Sequence, residues 1–189
     1  MSSLLFLPLC LDIKKELKSL TNLCLYHKQW TDKIADKRYL VFFLGNHYPK
    51  NFPPPNDPFG LFAVAIRNIH DYLEQGVPRA DRVVYFVTTP PGHDRCHTYQ
   101  SPLAAPLANM HNHERYTMWR SYYRFNDVLK NLVRALNSSR YRVLDVYPFS
   151  VLRPDAHVSA QDCLHYCHPG PTDWWNVALG LDMLYRAWS

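Results

Sequence analysis

Hydrophobic positions along this chain fall into two alternating patterns. One is the short apolar run: "RYLVFFLG" at 38–45 and "RVVYFVT" at 82–88, with "YRVLDVYPF" at 141–149, interrupted by Arg142 and Asp145, as a third strand. Runs of that length, rich in Val, Tyr and Phe, predict strands buried on both faces, the kind found in parallel sheets. The other pattern is helical spacing. Phe62, Ile66, Ile69 and Leu73 form one stripe and predict a helix from about Phe59 to Gln75, stopped by Gly76 and Pro78. Tyr122, Phe125, Leu129, Leu132 and Leu136 predict another from about Glu114 to Leu136. A last helix starts with Thr172 as its cap and Asp173 in its first turn, where a carboxylate suits the dipole. In it Trp174, Val177, Ala178, Leu181, Leu184, Tyr185 and Trp188 repeat at helical spacing and are expected to pack on the sheet. From Asp12 to about Ala35 the pattern is mixed and helical in character.

Helix and strand therefore alternate, which predicts an α/β fold of three layers, a parallel sheet flanked by helices. Two divisions follow: a helical N-terminal segment at 1–38 and the α/β domain at 39–189. Open parallel sheets bind ligands beyond the carboxyl ends of their strands. Those ends read "GNHYP", "TTPPGHDRCH" and "RPDAHVSAQDCLHYCH", so nearly all the His and Cys of the second half collect at one edge. The segment from Thr89 to His113 is long and irregular, with four His and one Cys, and a loop of that length in a compact domain is commonly functional.

Composition narrows the picture without redirecting it. The chain has 189 residues, 47% hydrophobic and 20% charged, which fits one globular domain with a sizeable core. Its net charge of +5 is spread along the chain with no block of like charge, so no nucleic-acid patch is expected. No apolar run approaches the ~20 residues of a membrane span, so no membrane attachment is expected from this chain. "MSSLLFLPLC" lacks the basic start of a signal peptide. Asn137-Ser138-Ser139 matches a glycosylation acceptor. The five Cys are an odd number, and three of them, Cys96, Cys163 and Cys167, sit in polar, looped contexts that suit an oxidising compartment.

The densest chemistry lies in "QDCLHYCHPG", 161–170. Asp162 and His165 are three apart, a spacing that lets the carboxylate orient one imidazole nitrogen and leaves the other for a reactant. Asp155 and His157 offer a second, poorer pair. A disulfide from Cys163 or Cys167 to Cys96 would fix the loop to the sheet. Alternatively, Cys96, Cys163 and Cys167 with His97, His165 or His168 supply four zinc ligands, although no paired Cys-x-x-Cys knuckle is present.

The block from Val143 onward resembles the C-terminal part of the trichome-birefringence-like and PC-esterase proteins, a branch of the SGNH/GDSL hydrolase superfamily. The resemblance rests on Arg153, Asp155 and His157, then Asp162, Cys163, His165, Tyr166 and Cys167, then Pro169, Gly170, Asp173, Trp175 and Asn176. "YFVTTPPGHDRC" and "VFFLGNHY" extend it back to about Tyr39. It implies a flavodoxin-like three-layer fold and ester chemistry: O-acetyl transfer to, or removal from, polysaccharides in the secretory pathway, Golgi lumen or extracellular, with no cofactor. The acyl donor is left open. It further implies a Ser nucleophile with Asp162 and His165 as partners, Gly45 and Asn46 at the oxyanion pocket, and Arg153, Asp155, His157 and Trp175 lining it. Tyr166 stands where the family has Trp. No Gly-Asp-Ser occurs in the chain, and Ser2, Ser3 and Ser19 lack that context. The expectation is an N-terminally incomplete or non-catalytic relative; the alternatives to an ester enzyme are a glycan-binding pseudo-enzyme and the zinc domain.

Overall fold

The computed structural model describes residues 4–8, 31, 33–45, 57–107 and 119–188. The expected helix at 12–35 and the start of the helix expected at 114 lie mostly outside them. Four strands form one sheet in the order β1-β2-β3-β4: β1 Leu4–Pro8, β2 Tyr39–Phe43, β3 Val83–Val87 and β4 Tyr141–Leu144. β1 and β2 run parallel with Leu4 opposite Tyr39, and β2 and β3 run parallel with Tyr39 opposite Val83. The helices are α1 Pro58–Asp71, α2 Tyr122–Leu136, the single turn α3 Tyr147–Ser150, and α4 Pro171–Trp188. The parallel α/β arrangement is the one the alternating runs predict.

The described residues divide into two compact units, Met1–Thr88 with Arg124–Val143, and Thr89–Tyr123 with Leu144–Ser189. The first unit holds the periodic core. β2 and β3 are buried nearly throughout, and the register partners Phe42 and Phe86 stack at 5.6 Å. Asp57 caps α1, its carboxylate accepting from the amides of Phe59 and Gly60. Phe62, Ile66, Ile69 and Leu73 are all buried, as their spacing predicts. Phe125 meets Phe59 and Phe62 at 4.7 and 5.1 Å, joining α2 to α1. Asn137, at φ 48, ends α2 in the left-handed conformation.

Arg82 is the charged exception in this core. It is 1% exposed, and its guanidinium donates to the carbonyls of Lys37, Val77, Ile34 and Ala35. One planar fork thus satisfies four chain-end carbonyls around β2 and the turn after α1. Burial lowers its pKa, with Arg79 and Arg140 adding to the effect, yet an arginine stays charged.

The second unit is mostly irregular, and four expectations need correction here or beside it. Leu4–Pro8 forms a strand within the segment expected to be helical; five apolar residues carry too little periodicity to show it, and the parallel pairing to β2 supplies the structure. The third predicted strand stops at Leu144, because Pro148 lacks a ladder donor and the chain turns helical at Tyr147. In α4, Trp174, Val177, Ala178, Leu181, Leu184 and Tyr185 are exposed, while Pro171 and Leu179 are buried and Trp175 is half-buried. The seam therefore runs at i, i+4, i+8 through Pro171, Trp175 and Leu179. Trp175 sets that rotation: its indole N–H donates to Ser150 Oγ, and its ring packs edge-on against Tyr166. The side chain of Trp188 lies outside the described residues. Nor is Thr172 the cap. Pro171 opens the helix, and Asp173 accepts from the Gly170 amide at 2.6 Å while its own amide donates to the Gly170 carbonyl.

Replacing Arg82 with Met should lower unfolding stability by about 3 kcal/mol or more in urea titration, because four carbonyls lose the Arg82 donor at once, and of these Ile34 keeps the Lys37 amide. A change near zero would mean that water reaches those carbonyls instead.

Candidate functional site

Residues 156–158 and 165–167 lie antiparallel, with a bridge between His157 and Tyr166. The Cys167 amide donates to the Ala156 carbonyl and the Val158 amide to the His165 carbonyl, both at 3.0 Å. Between these arms the chain makes two side-chain-directed turns. Ser159 Oγ accepts from the amides of Gln161 and Asp162. Asp162 Oδ1 then accepts from the amides of Leu164 and His165, at 3.2 and 3.0 Å.

That second turn aims the carboxylate. With Oδ1 committed to the backbone, Oδ2 lies 2.8 Å from His165 Nδ1. A carboxylate only accepts, so Nδ1 carries the proton and Nε2 of the neutral ring is a bare base. The His165 side chain is 62% exposed, which leaves Nε2 open to a reactant. Partial desolvation pushes the Asp162 carboxyl up, but the His165 amide, the His165 ring and the Leu164 amide together outweigh it, and its pKa is lowered overall.

The loop is anchored to a buried neighbour. Cys96 and Cys163 form a disulfide, the Cys96 amide donates to Cys163 Sγ, and the His93 amide donates to the Cys163 carbonyl at 3.0 Å. Pro90 to His93 are buried, and Gly92 lies so close under the Trp119 indole that a Cβ there would collide with the ring. Of the two disulfide partners open to Cys96, Cys163 is the one used. Among the described residues Cys167 has no disulfide partner; its thiol donates to the Ala156 carbonyl. The zinc set is not assembled: two of its sulfurs are bonded to each other, and no group of three or more His, Cys, Asp or Glu is close enough to share an ion among the described residues.

The other expected site residues have definite places. Arg153 and Asp155 form a two-point pair at 2.9 and 3.0 Å; that hydrogen-bonded contact raises the Arg153 pKa. Asp155 is therefore not the orienter of His157. His157 is buried against Tyr166 and bonded to His93 and to the His165 carbonyl. Trp175 supports Tyr166 from α4. Gly45 lies in the first unit, buried after β2 at φ 105, a conformation that favours glycine. Asn46 lies outside the described residues. His93 and Tyr166 were not singled out by the sequence as site residues. The signal for His93 is its position directly after Gly92 and three before Cys96. Tyr166 has its hydroxyl 3.0 Å from the Pro91 carbonyl and 3.2 Å from that of Ser150, and burial drives its pKa well up.

A family model described as PC-Esterase, a GDSL/SGNH-like acyl-esterase family found in Pmr5 and Cas1p, matches residues 30–182. The chain belongs to this family. Among PC-esterase relatives, xyloglucan O-acetyltransferase 1 of Arabidopsis thaliana is 41% identical over 74 residues, covering 31% of this chain and 18% of the relative. Protein trichome birefringence-like 13 of the same plant is 29% identical over 167 residues, covering 79% and 39%. Protein trichome birefringence-like 12 is 24% identical over 165 residues, covering 76% and 39%. The chain spans well under half the length of these relatives.

Two outcomes check the site. Replacing Cys96 and Cys163 together with Ser should cost about 4 kcal/mol in denaturant titration, since the bridge closes a long loop, 67 residues in sequence separation. For Asp162 the folded pKa is lowered, so its contribution is present above the unfolded carboxyl value and is lost as pH falls through the folded one. The destabilisation caused by Asp162→Asn should thus be seen at neutral pH and fade in acid; a constant difference down to pH 2 would contradict the assigned bonds.

Proposed function

We propose that this chain carries the base-and-orienter half of an acyl-ester centre acting on O-acetylated polysaccharide, as transferase or esterase. The observation that carries the reading is the Asp162 Oδ2 to His165 Nδ1 bond at 2.8 Å, with the far side of the ring open, in a PC-esterase chain. His165 Nε2 takes the proton of an attacking hydroxyl, a serine in the mechanism the family resemblance implies, and returns it to the leaving oxygen. Asp162 holds the Nδ1–H tautomer and stabilises the imidazolium between those steps. Polysaccharide as substrate rests on the relative named a xyloglucan O-acetyltransferase. A secretory compartment fits the disulfide. No helix among the described residues is long and apolar enough to cross a membrane.

One observation favours a second reading. The 189 residues contain no Gly-Asp-Ser, so the same loop would serve a glycan-binding domain without turnover.

The test incubates the chain with O-acetylated xyloglucan oligosaccharides and follows acetyl loss or transfer by mass spectrometry. Acetyl release that His165→Ala abolishes supports the ester centre, with water as the attacking hydroxyl where the chain supplies no serine. Binding without turnover, unchanged in His165→Ala, favours the second reading. Neither turnover nor binding removes both.

A further inference from the structure

Three short polar contacts run in line through two buried imidazoles. The Val151 carbonyl faces His93 Nε2 at 3.0 Å, His93 Nδ1 faces His157 Nε2 at 2.8 Å, and His157 Nδ1 faces the His165 carbonyl at 3.0 Å. Both rings are buried, His93 completely. A carbonyl oxygen only accepts, so the last bond exists only when His157 Nδ1 carries a proton. Burial also holds His157 towards its neutral form. Its Nε2 is then a lone pair. The Val151 carbonyl in the same way places the His93 proton on Nε2, so the 2.8 Å His93–His157 contact is a hydrogen bond only when the two rings share one further proton. The other neutral tautomer of His157 would turn a lone pair onto the His165 oxygen. The His165 carbonyl itself therefore selects the His157 tautomer.

That bond bears on the dyad through the backbone. The His165 carbonyl accepts from His157 Nδ1 and from the Val158 amide, while the His165 amide donates to Asp162 Oδ1. The residue is thus held on both of its peptide groups. Tyr166, next in the chain, stacks on the His157 ring with centroids 4.4 Å apart. With both peptide planes fixed, the direction in which His165 leaves the backbone is fixed too, and the ring arrives within reach of Asp162 Oδ2.

We infer that His157 is a positioning residue: its Nδ1–H holds the His165 peptide so that the imidazole stays aligned on Asp162. The inference rests on the ester-centre reading for its catalytic meaning, but its spectroscopic test requires no turnover.

Asparagine and glutamine separate this role from simple core filling. An Asn amide nitrogen falls near the Nδ1 position and keeps the donor to His165. A Gln amide reaches the Nε2 position, towards His93, and loses it. Long-range ¹⁵N correlation spectra of the full chain at neutral pH report the tautomer of each histidine. In the wild type, His157 and His165 should both be Nδ1–H tautomers. His157→Asn should leave the His165 pattern in place, whereas His157→Gln should let it pass to the Nε2–H form that an unrestrained histidine prefers. In the acetyl assay kcat should fall on the order of tenfold in His157→Gln, with KM unchanged and recovery in His157→Asn. An Nε2–H tautomer at His157 in the wild type overturns the inference, even where both variants fail to fold. So does an unchanged His165 pattern in a folded His157→Gln. If the tautomers behave as stated but the wild type turns nothing over, positioning stands and the ester-centre reading falls.

Discussion

Irregular backbone has many conformations of similar energy, so it keeps one shape only where cross-links hold it. In the second unit the decisive cross-link joins buried Cys96 to the loop around Cys163. The disulfide sets the distance, and the His93 amide on the Cys163 carbonyl sets the orientation. Everything that gives the loop its chemistry hangs from that tie. The Asx turn of Asp162 follows immediately on one side of Cys163, and His165 lies two residues beyond it. A flexible loop could bring Asp162 and His165 together, but it would spread them over many arrangements. A tethered one spends its ordering entropy in folding rather than at each encounter with a reactant.

The two units reach order by different physics. The first is built by repeated apolar contacts on a parallel sheet, with Arg82 closing its chain ends in a single polar cluster. The second has few regular elements and depends on individual polar bonds: Ser159 and Asp162 on their own backbone, Tyr166 on Pro91 and Ser150, Arg153 on Asp155. Apolar cores tolerate exchange of similar volumes, whereas polar bonds of this kind have strict geometry and fail one at a time.

This difference explains what the sequence discloses. Phe62, Ile66, Ile69 and Leu73 are legible because helical burial imposes a period, and β2 and β3 because double-sided burial imposes a run. Asp162 and His165 are legible as a pair because a turn brings residues three apart into contact. The exposed stripe of α4 is misread because period alone reports that one face is apolar, not which face is covered; Trp175, outside that stripe, decides the rotation through Ser150. His157 is misassigned because Asp155 is its near neighbour in sequence but bonds Arg153 in space. The His93–His157 contact spans 64 positions, and no local spacing encodes it.

Cys96 and Cys163 also impose an order of assembly. A chain emerging from the ribosome at about 5–20 residues per second exposes Cys96 several seconds before its partner. During that interval the first thiol is open to any other disulfide chemistry in the compartment. α2 and β4 lie between the two cysteines, so the first unit's elements are all synthesised before the bridge forms. The loop bearing Asp162 and His165 is therefore the last of these parts to be completed, and the fraction of chains that complete it depends on the oxidant present at that moment.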